Sequence, residues 1–476
     1  MKTENKKNNI PEGWAVTRLG EVAEVNALVI NKDYHFNEIE YIDVASVEDR
    51  KLLQTQKLVL KSAPSRARRI VQDNDILIST VRPNLKHFCF IKTSKPNLVA
   101  STGFAVVSAK RAAPYFLYNL LTTEKYTEYL TQIADTHTST YPAFNPEVIL
   151  NSKFLLPSLP EQHAIAAVLS SLDDKIELLR EQNKTLEAIA QAIYKRWFVD
   201  FEFPIEDETS KLPSLKGGEP EGRGGFDNTL QLKGYKSSGG KMVESELGEI
   251  PEGWEVIKIN ELFDFIKGVE PGSANYFKYK ISDYYIPFYR VQNISDNSNV
   301  PNVFIEKSLS NNKLFDKKDI LVSLDGTIGK VFIGGQGSYS SGIRKVISKN
   351  NVIGQCLIYC FLKSDYFQNG LILFSSGETT IKHAGKTLEN LQIAYKHDIF
   401  EQFTKNTNSI FEKMIINLKQ IQTLSALRDS LLPKLMSGKI RVPVKNEAET
   451  TLLDGDCHSS LTEEGLKSEN PQTEGE

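Results

Sequence analysis

The chain is poor in cysteine, methionine and tryptophan, with four, four and three in 476 residues. Cys89, Cys356, Cys360 and Cys457 are too few and too scattered for a disulfide framework, which fits a reducing cytoplasm. No run of eighteen apolar residues occurs, so no membrane-spanning helix is expected, and the charged opening from Met1 to Asn9 has no apolar stretch behind it to make a secretory leader. There is no Pro-Pro dipeptide, which removes the Pro-Pro-aromatic loop that grips a flipped base in amino-methyltransferases, and Asn145-Pro146-Glu147 is no substitute. Gly385-Lys386-Thr387 has Thr380 where a phosphate-cradling loop requires glycine, and Gly334, Gly335 and Gly337 do not extend to a dinucleotide fingerprint. Asp49-Arg50-Lys51 and Asp316-Lys317-Lys318 have the acid-x-Lys piece of metal nucleases without an upstream acid. Cys356 and Cys360 lie in an apolar run with no second pair, so they are expected as buried thiols rather than zinc ligands. No catalytic residue, metal or cofactor is expected in this chain.

The net charge of -3 averages over an acidic C-terminus. Residues 446–476 carry Glu447, Glu449, Asp454, Asp456, Glu463, Glu464, Glu469, Glu474 and Glu476 against Lys467 alone. The remaining body is mildly basic, which permits contact with nucleic acid without requiring it.

What the sequence does contain is a duplication. Pro11-Glu12-Gly13-Trp14 recurs 240 residues later as Pro251-Glu252-Gly253-Trp254. Asp75-Ile76-Leu77-Ile78-Ser79 is answered by Asp319-Ile320-Leu321-Val322-Ser323, Ser101-Thr102-Gly103-Phe104 by Ser340-Ser341-Gly342-Ile343, and Glu161-Gln162 by Glu401-Gln402. The matches keep their order, so the halves are copies of one unit. Each half offers short β-rich runs between Gly, Asn and Pro. In the first they are 39–47, 76–81, 88–92 and 104–107; in the second, 284–294, 320–324, 330–333 and 344–347. Each half then gives way to a helical pattern.

The first helix is expected to open on a capping box, Ser158-Leu159-Pro160-Glu161. Its apolar residues follow a heptad seam: Ile165, Leu169, Leu172, Ile176, Leu179, Asn183, Leu186, Ala190, Ile193 and Trp197. The second seam is weaker: Phe403, Thr407, Ile410, Met414, Asn417, Ile421, Leu424, Arg428, Leu431 and Leu435, with Gly438 placed to cap the end. The two helices are expected to pair antiparallel as a coiled coil, with Asn183 and Asn417 near the centre of their seams sharing a layer and fixing the register. A helix from Ile165 to Trp197 would measure ~50 Å, against ~34–36 Å for one duplex turn.

The expected fold class is therefore α+β, with two β-rich domains separated by two long antiparallel helices. The expected parts are a first domain at 10–157, a spacer helix at 158–203 and a Gly-rich linker at 204–248. A second domain at 249–398, a second spacer helix at 399–440 and a disordered acidic tail at 441–476 complete the chain.

If nucleic acid is bound, phosphates need cations and base edges need amides, hydroxyls or guanidiniums. Residues of those types cluster in the first half at Arg66, Arg68 and Arg69; at Arg82, Asn84 and Lys86; and at Thr138, Ser139 and Tyr141. In the second half they are Arg290, Gln292, Asn293, Lys330, Ser341, Arg344, Lys345, Lys382 and Lys386. Taken singly, each is also what a solvated surface displays. The halves differ most at these stretches, so the two copies would read unlike half-sites.

Several blocks resemble the specificity subunit of type I restriction–modification complexes. They are the repeated Pro-Glu-Gly-Trp, Leu155-Leu156-Pro157-Ser158-Leu159-Pro160-Glu161-Gln162, and Tyr194-Lys195-Arg196-Trp197-Phe198. Tyr235-Lys236-Ser237-Ser238-Gly239-Gly240-Lys241-Met242 and Pro433-Lys434-Leu435-Met436-Ser437-Gly438-Lys439-Ile440 complete the set. The resemblance runs from about residue 10 to 443. It implies two target-recognition domains on double-stranded DNA, held by helices that dock two modification (methyltransferase) subunits and, in the full complex, two restriction subunits. S-adenosylmethionine, ATP and Mg²⁺ would belong to those partners. Thr407 and Arg428 on the second seam, and the long acidic end, depart from the pattern. The alternative reading is a coiled-coil scaffold whose β-rich heads bind proteins.

Overall fold

The computed structural model describes residues 10–48, 50–137, 142–205, 234–294, 301, 303–373, 382–383, 388 and 391–443. The chain divides into two compact units, one of Met1–Asp173 with Leu427–Glu476 and one of Asp174–Ala426. Two helices, Leu159–Phe198 and His397–Met436, contribute to both. The expected acidic tail from 444 onward, most of the expected linker (206–233), and Thr138, Ser139, Tyr141 and Lys386 lie outside the described residues.

In the first unit one four-stranded sheet orders Ala23–Val25, Phe104–Ala109, Ile76–Ser79 and Phe88–Phe90. A second orders Gln56–Val59, Glu38–Ile42, Leu98–Ser101 and Ala67–Ile70. In the second unit the corresponding orders are Phe263–Lys267, Ile343–Ser348, Ile320–Ser323, Val331–Phe332, and Phe304–Glu306, Tyr285–Tyr289, Gly337–Tyr339, Leu314–Phe315. The correspondence extends to direction. Within the second sheet of each unit a single pair runs parallel, Leu98–Ala100 beside Glu40–Ile42 and Ser338–Tyr339 beside Phe288–Tyr289. Ile76–Ser79 and Ile320–Ser323 are buried at every position, as expected of central strands covered on both faces.

The repeated Pro-Glu-Gly-Trp is a turn with a physical requirement. Trp14 N donates to Pro11 O at 3.1 Å and Trp254 N to Pro251 O at 3.1 Å, with Gly13 at φ +77° and Gly253 at φ +81°. A type II turn demands positive φ at its third residue, which only glycine adopts without cost. The turn drives each tryptophan into its unit's core, Trp14 among Leu156, Ile165 and Met436, Trp254 among the rings of Phe198, Phe201 and Phe203. Strands Ala15–Arg18 and Glu255–Lys258 follow at once and pair antiparallel with Lys153–Leu156 and Gln392–Tyr395.

Two expectations are revised, and helices join the expected β-rich runs. The intervals 114–137 and 355–373 are helical: Pro114–Leu121 and Glu124–His137 in the first unit, Gln355–Lys363 and Asp365–Leu373 in the second. Proline is at home in a first helical turn, and Phe116–Leu121 and Cys356–Leu362 are buried on every side, so neither shows a helical stripe in sequence. The capping box at Ser158 does not close. Glu161, 3% exposed, instead accepts from Arg441 Nε and Nη2 (2.5 and 2.9 Å) and from Trp14 Nε1 at 3.3 Å, so one carboxylate joins three distant stretches of chain. The end of the 204–248 interval is structured, because Met242–Ser245 pairs antiparallel with Gly248–Pro251.

Within the second unit the helices run antiparallel. Ile176 and Leu179 pack with Ile421 and Leu424, while Tyr194 and Trp197 meet the Phe403 ring, so rising numbers on one helix match falling numbers on the other. Asn417 Nδ2 donates to Asn183 Oδ1 at 2.9 Å, and Asn183 Nδ2 to Met414 O at 3.1 Å. Leu186, Ile193, Ile410 and Met414 complete this part of the seam. Phe411, Ile415 and Leu418 are also buried, because the second helix packs against the sheet of its own unit as well. That double duty explains why its heptad signal is diffuse. In the first unit Ile165 and Leu169 share a core with Leu431, Leu432 and Leu435, and Leu172 is half-buried. Arg428 fits on that seam because Asp173 receives its Nη1 at 2.7 Å. Thr407 is fully buried with its hydroxyl donating to Phe403 O at 2.8 Å, a self-contained solution for a polar seam residue. Gly438, at φ +68°, ends the second helix.

Candidate nucleic-acid interface

One edge of each unit gathers turns that are far apart in sequence. In the first unit Thr102 N donates to Arg66 O (2.8 Å), Thr80 N to Gly103 O (2.8 Å), Phe144 N to Thr80 O (3.0 Å) and Arg82 N to Pro142 O (2.8 Å). Backbone hydrogen bonds therefore set the 66, 80–82, 102–103 and 142–144 stretches side by side. The second unit repeats the core of this arrangement. Leu324 N donates to Gly342 O at 2.9 Å, and Asp325–Gly326 pairs antiparallel with Lys382–His383. Over each edge sits a 3₁₀ turn, Val44–Ser46 or Val291–Asn293. A Cβ on Gly103 would stand 2.9 Å from Val44 Cγ2, and one on Gly342 3.0 Å from Val291 Cγ2, so both turns close down on a glycine for want of space. This explains why Ser-Thr-Gly and Ser-Ser-Gly occur at the same place in both copies.

The expected contact residues fall into two groups. Some are exposed at the edge. Arg68 lies on the strand Ala67–Ile70, Asn84 on the turn Pro83–Leu85, Gln292 on Val291–Asn293, and Lys330 beside the Ser323 backbone. Arg82, exposed, and Lys86 flank the Pro83–Leu85 turn, both in left-handed conformation at φ 49° and 57°, while Pro83 itself is buried. Others are occupied within the fold. Arg66 pairs with Asp43 at 2.9 Å, Lys86 with Glu124 at 2.6 Å, and Ser341 Oγ donates to Glu270 at 2.9 Å. Asn293 Oδ1 accepts from Arg290 N at 3.0 Å and so builds the turn. Lys345, largely buried, donates to Leu314 O at 3.0 Å and pairs with Asp319 at 3.3 Å. Arg344 is half-buried and donates to Ser341 O (2.6 Å) and Ile343 O (3.1 Å), and burial lowers its pKa. Arg69 is half-buried with Nε unpartnered. Lys382 lies on the strand that borders the 325–330 turn.

Sequence reasoning missed Asp43, Glu270 and Tyr276. Asp43 and Arg290 each precede the valine that packs on the turn glycine, 247 residues apart rather than 240, so only a seven-residue slip aligns them. Cys356 and Cys360 are buried free thiols. Among the described residues no group of three His, Cys, Asp or Glu is arranged to hold a metal ion, and no helix is long and apolar enough to cross a membrane.

The comparisons with known proteins agree with this double architecture. The family model for the type I restriction modification DNA specificity domain matches twice, over residues 11–188 and 251–419. The specificity subunit of the type I restriction enzyme HindI from Haemophilus influenzae is 28% identical over 472 residues, covering 90% of this chain and 99% of its own. The MjaIX specificity subunit of Methanocaldococcus jannaschii is 27% identical over 456 residues, with 91% and 95% covered. Among solved structures, the S subunit of a type I restriction-modification system from M. genitalium superposes with a TM-score of 0.50 at 15% identity, over 91% of this chain and 98% of that one.

Proposed function

Because the chain belongs to the type I restriction–modification DNA specificity family, we propose that each of its two units binds one half of an asymmetric, bipartite double-stranded DNA site. The observation that carries this reading is the repetition of one two-sheet frame with unlike side chains on its reading edge: Arg82 and Asn84 on one copy, Asp325, Thr327 and Lys330 on the other. A shared frame fixes where each edge meets the groove, and the differing polar groups determine which bases are accepted.

The paired helices set the gap between the half-sites and dock two modification subunits, joined in the full complex by two restriction subunits. This chain itself performs no bond chemistry and works in the cytoplasm. S-adenosylmethionine, ATP and Mg²⁺ serve the partner subunits, which supply methyl transfer, translocation and cleavage.

The test is co-expression with the cognate modification subunit, followed by genome-wide mapping of methylated bases. One asymmetric two-part motif with a fixed gap is the expected result; scattered or absent methylation overturns it. The scaffold alternative is separated by salt, since DNA affinity falls steeply with ionic strength and an apolar protein interface does not.

A further inference from the structure

The two reading edges carry opposite charge at one equivalent position. The residue that opens the 3₁₀ turn over the edge is Asp43 in the first unit and Arg290 in the second. Asp43 is already answered: it accepts from Val44 N at 2.7 Å and from Arg66 at 2.9 Å. Arg290 is placed differently. Its guanidinium lies over the Tyr276 ring, 5.7 Å from the centroid, and its buried Nε has no hydrogen-bond partner among the described residues. Tyr276 is itself held, because its hydroxyl donates to Glu270 Oε1 at 3.4 Å while Ser341 Oγ donates to Glu270 Oε2 at 2.9 Å. The ring is thus a fixed plate. It orients a planar cation through its face, and among the described residues the terminal N–H fork makes no hydrogen bond.

The neighbouring cations are committed elsewhere. Arg344 donates to the carbonyls of Ser341 and Ile343, and Lys345 to Leu314 O and Asp319. We infer that Arg290 is the base-reading guanidinium of the second unit, that Tyr276 and Glu270 position it, and that its ligand is a guanine edge in the major groove. Guanine offers O6 and N7 as adjacent acceptors, and the arginine fork matches that pair with two parallel hydrogen bonds. The half-site read by the second unit then contains a G·C pair at that base. In the first unit Asp43, neutralised by Arg66, presents no such fork from the same position.

This inference rests on the proposed DNA-reading function, and its test separates the two. The full-length wild type, Arg290→Ala, Arg290→Gln and Tyr276→Leu are each co-expressed with the modification subunit, and methylated sites are mapped. A wild type that yields no two-part motif overturns the function, not this assignment. Given that motif, the arginine variants are expected to leave one half-site and the gap unchanged while one guanine of the other half becomes degenerate, its preference falling roughly ten-fold or more. Tyr276→Leu removes the plate but no donor to DNA, and relaxes the same base to a smaller extent. An unchanged motif overturns the assignment. So does a uniform drop at all sites with the motif intact, which marks a phosphate contact. Should the variants abolish methylation, the wild-type complex is tested on duplexes carrying each of the four bases at every guanine of that half-site. Equal affinity for all four at each position overturns the assignment, and a preference for guanine of the stated size upholds it.

Discussion

Asn417, fully buried, donates its side-chain amide to Asn183 Oδ1 across the paired helices, and Asn183 in turn donates to Met414 O. A polar layer in an apolar seam weakens the pairing yet penalises every register that separates its members. Replacing Asn183 by Ala leaves the fully buried Asn417 amide short of its nearest acceptor, at a cost of about 1–3 kcal/mol. The double replacement by Leu removes both polar groups and recovers much of that loss. A double-mutant cycle read by denaturant midpoints should give a coupling of about 0.5–3 kcal/mol. Strictly additive single costs would show that the two amides do not depend on each other.

The Glu161 contacts predict a second pattern. Its buried carboxylate is met by Arg441 and by the Trp14 indole. Arg441→Ala strands a buried charge, whereas Glu161→Gln removes the charge and keeps the shape. The arginine variant on the wild-type background should therefore cost about 1–3 kcal/mol, and the same variant combined with Glu161→Gln markedly less. Thermal melts of the four combinations decide it, and an equal Arg441→Ala penalty on both backgrounds sinks the idea.

The duplication was legible because one frame needs the same turn chemistry twice. Gly13 and Gly253 supply positive φ, and Gly103 and Gly342 supply room for a valine. The strands Ile76–Ser79 and Ile320–Ser323 were legible because central strands read as unbroken apolar runs. The helices Pro114–Leu121 and Gln355–Lys363 were not, because residues buried on all sides show no period. The hairpin of Met242–Ser245 and Gly248–Pro251 was hidden beside a Gly-rich stretch. At the reading edge, composition found the cations but not their partners. Nothing local in Arg66 or Lys345 announces Asp43 or Asp319, since the sheets bring those partners together from stretches more than twenty residues apart.

Glu40 gives a prediction in pH. It is a buried carboxylate on the strand Glu38–Ile42, and hydrogen bonds from Lys95 and then Thr55 hold its pKa below the ordinary value of 4.5. A carboxyl whose pKa is lower in the folded state releases protons on folding. Its contribution is therefore full at neutral pH and is lost as pH falls through the carboxylate range. The gap in melting temperature between wild type and Glu40→Gln should be widest near pH 7 and shrink below 4.5. A gap independent of pH would mean that shape, not charge, is what Glu40 supplies.

Lys330 and Lys345 separate a DNA contact from a fold contact. Lys330 is exposed on the turn after Ile320–Ser323, while Lys345 is buried against Asp319 and Leu314 O. If Lys330 meets a phosphate, Lys330→Ala weakens binding to cognate and unrelated duplex alike. It also lowers the slope of log affinity against log salt by about one, because one fewer counterion is released. Its melting temperature should stay within experimental error of the wild type. Lys345→Ala should do the reverse: it leaves Asp319 without its ion-pair partner and lowers the melting temperature, yet any folded fraction binds DNA with an unchanged salt slope. Titrations by fluorescence anisotropy across a salt series, beside calorimetric melts, give both readouts on the same preparations. A salt slope that moves for Lys345→Ala and not for Lys330→Ala would mean the reading edge has been assigned to the wrong face of the sheet.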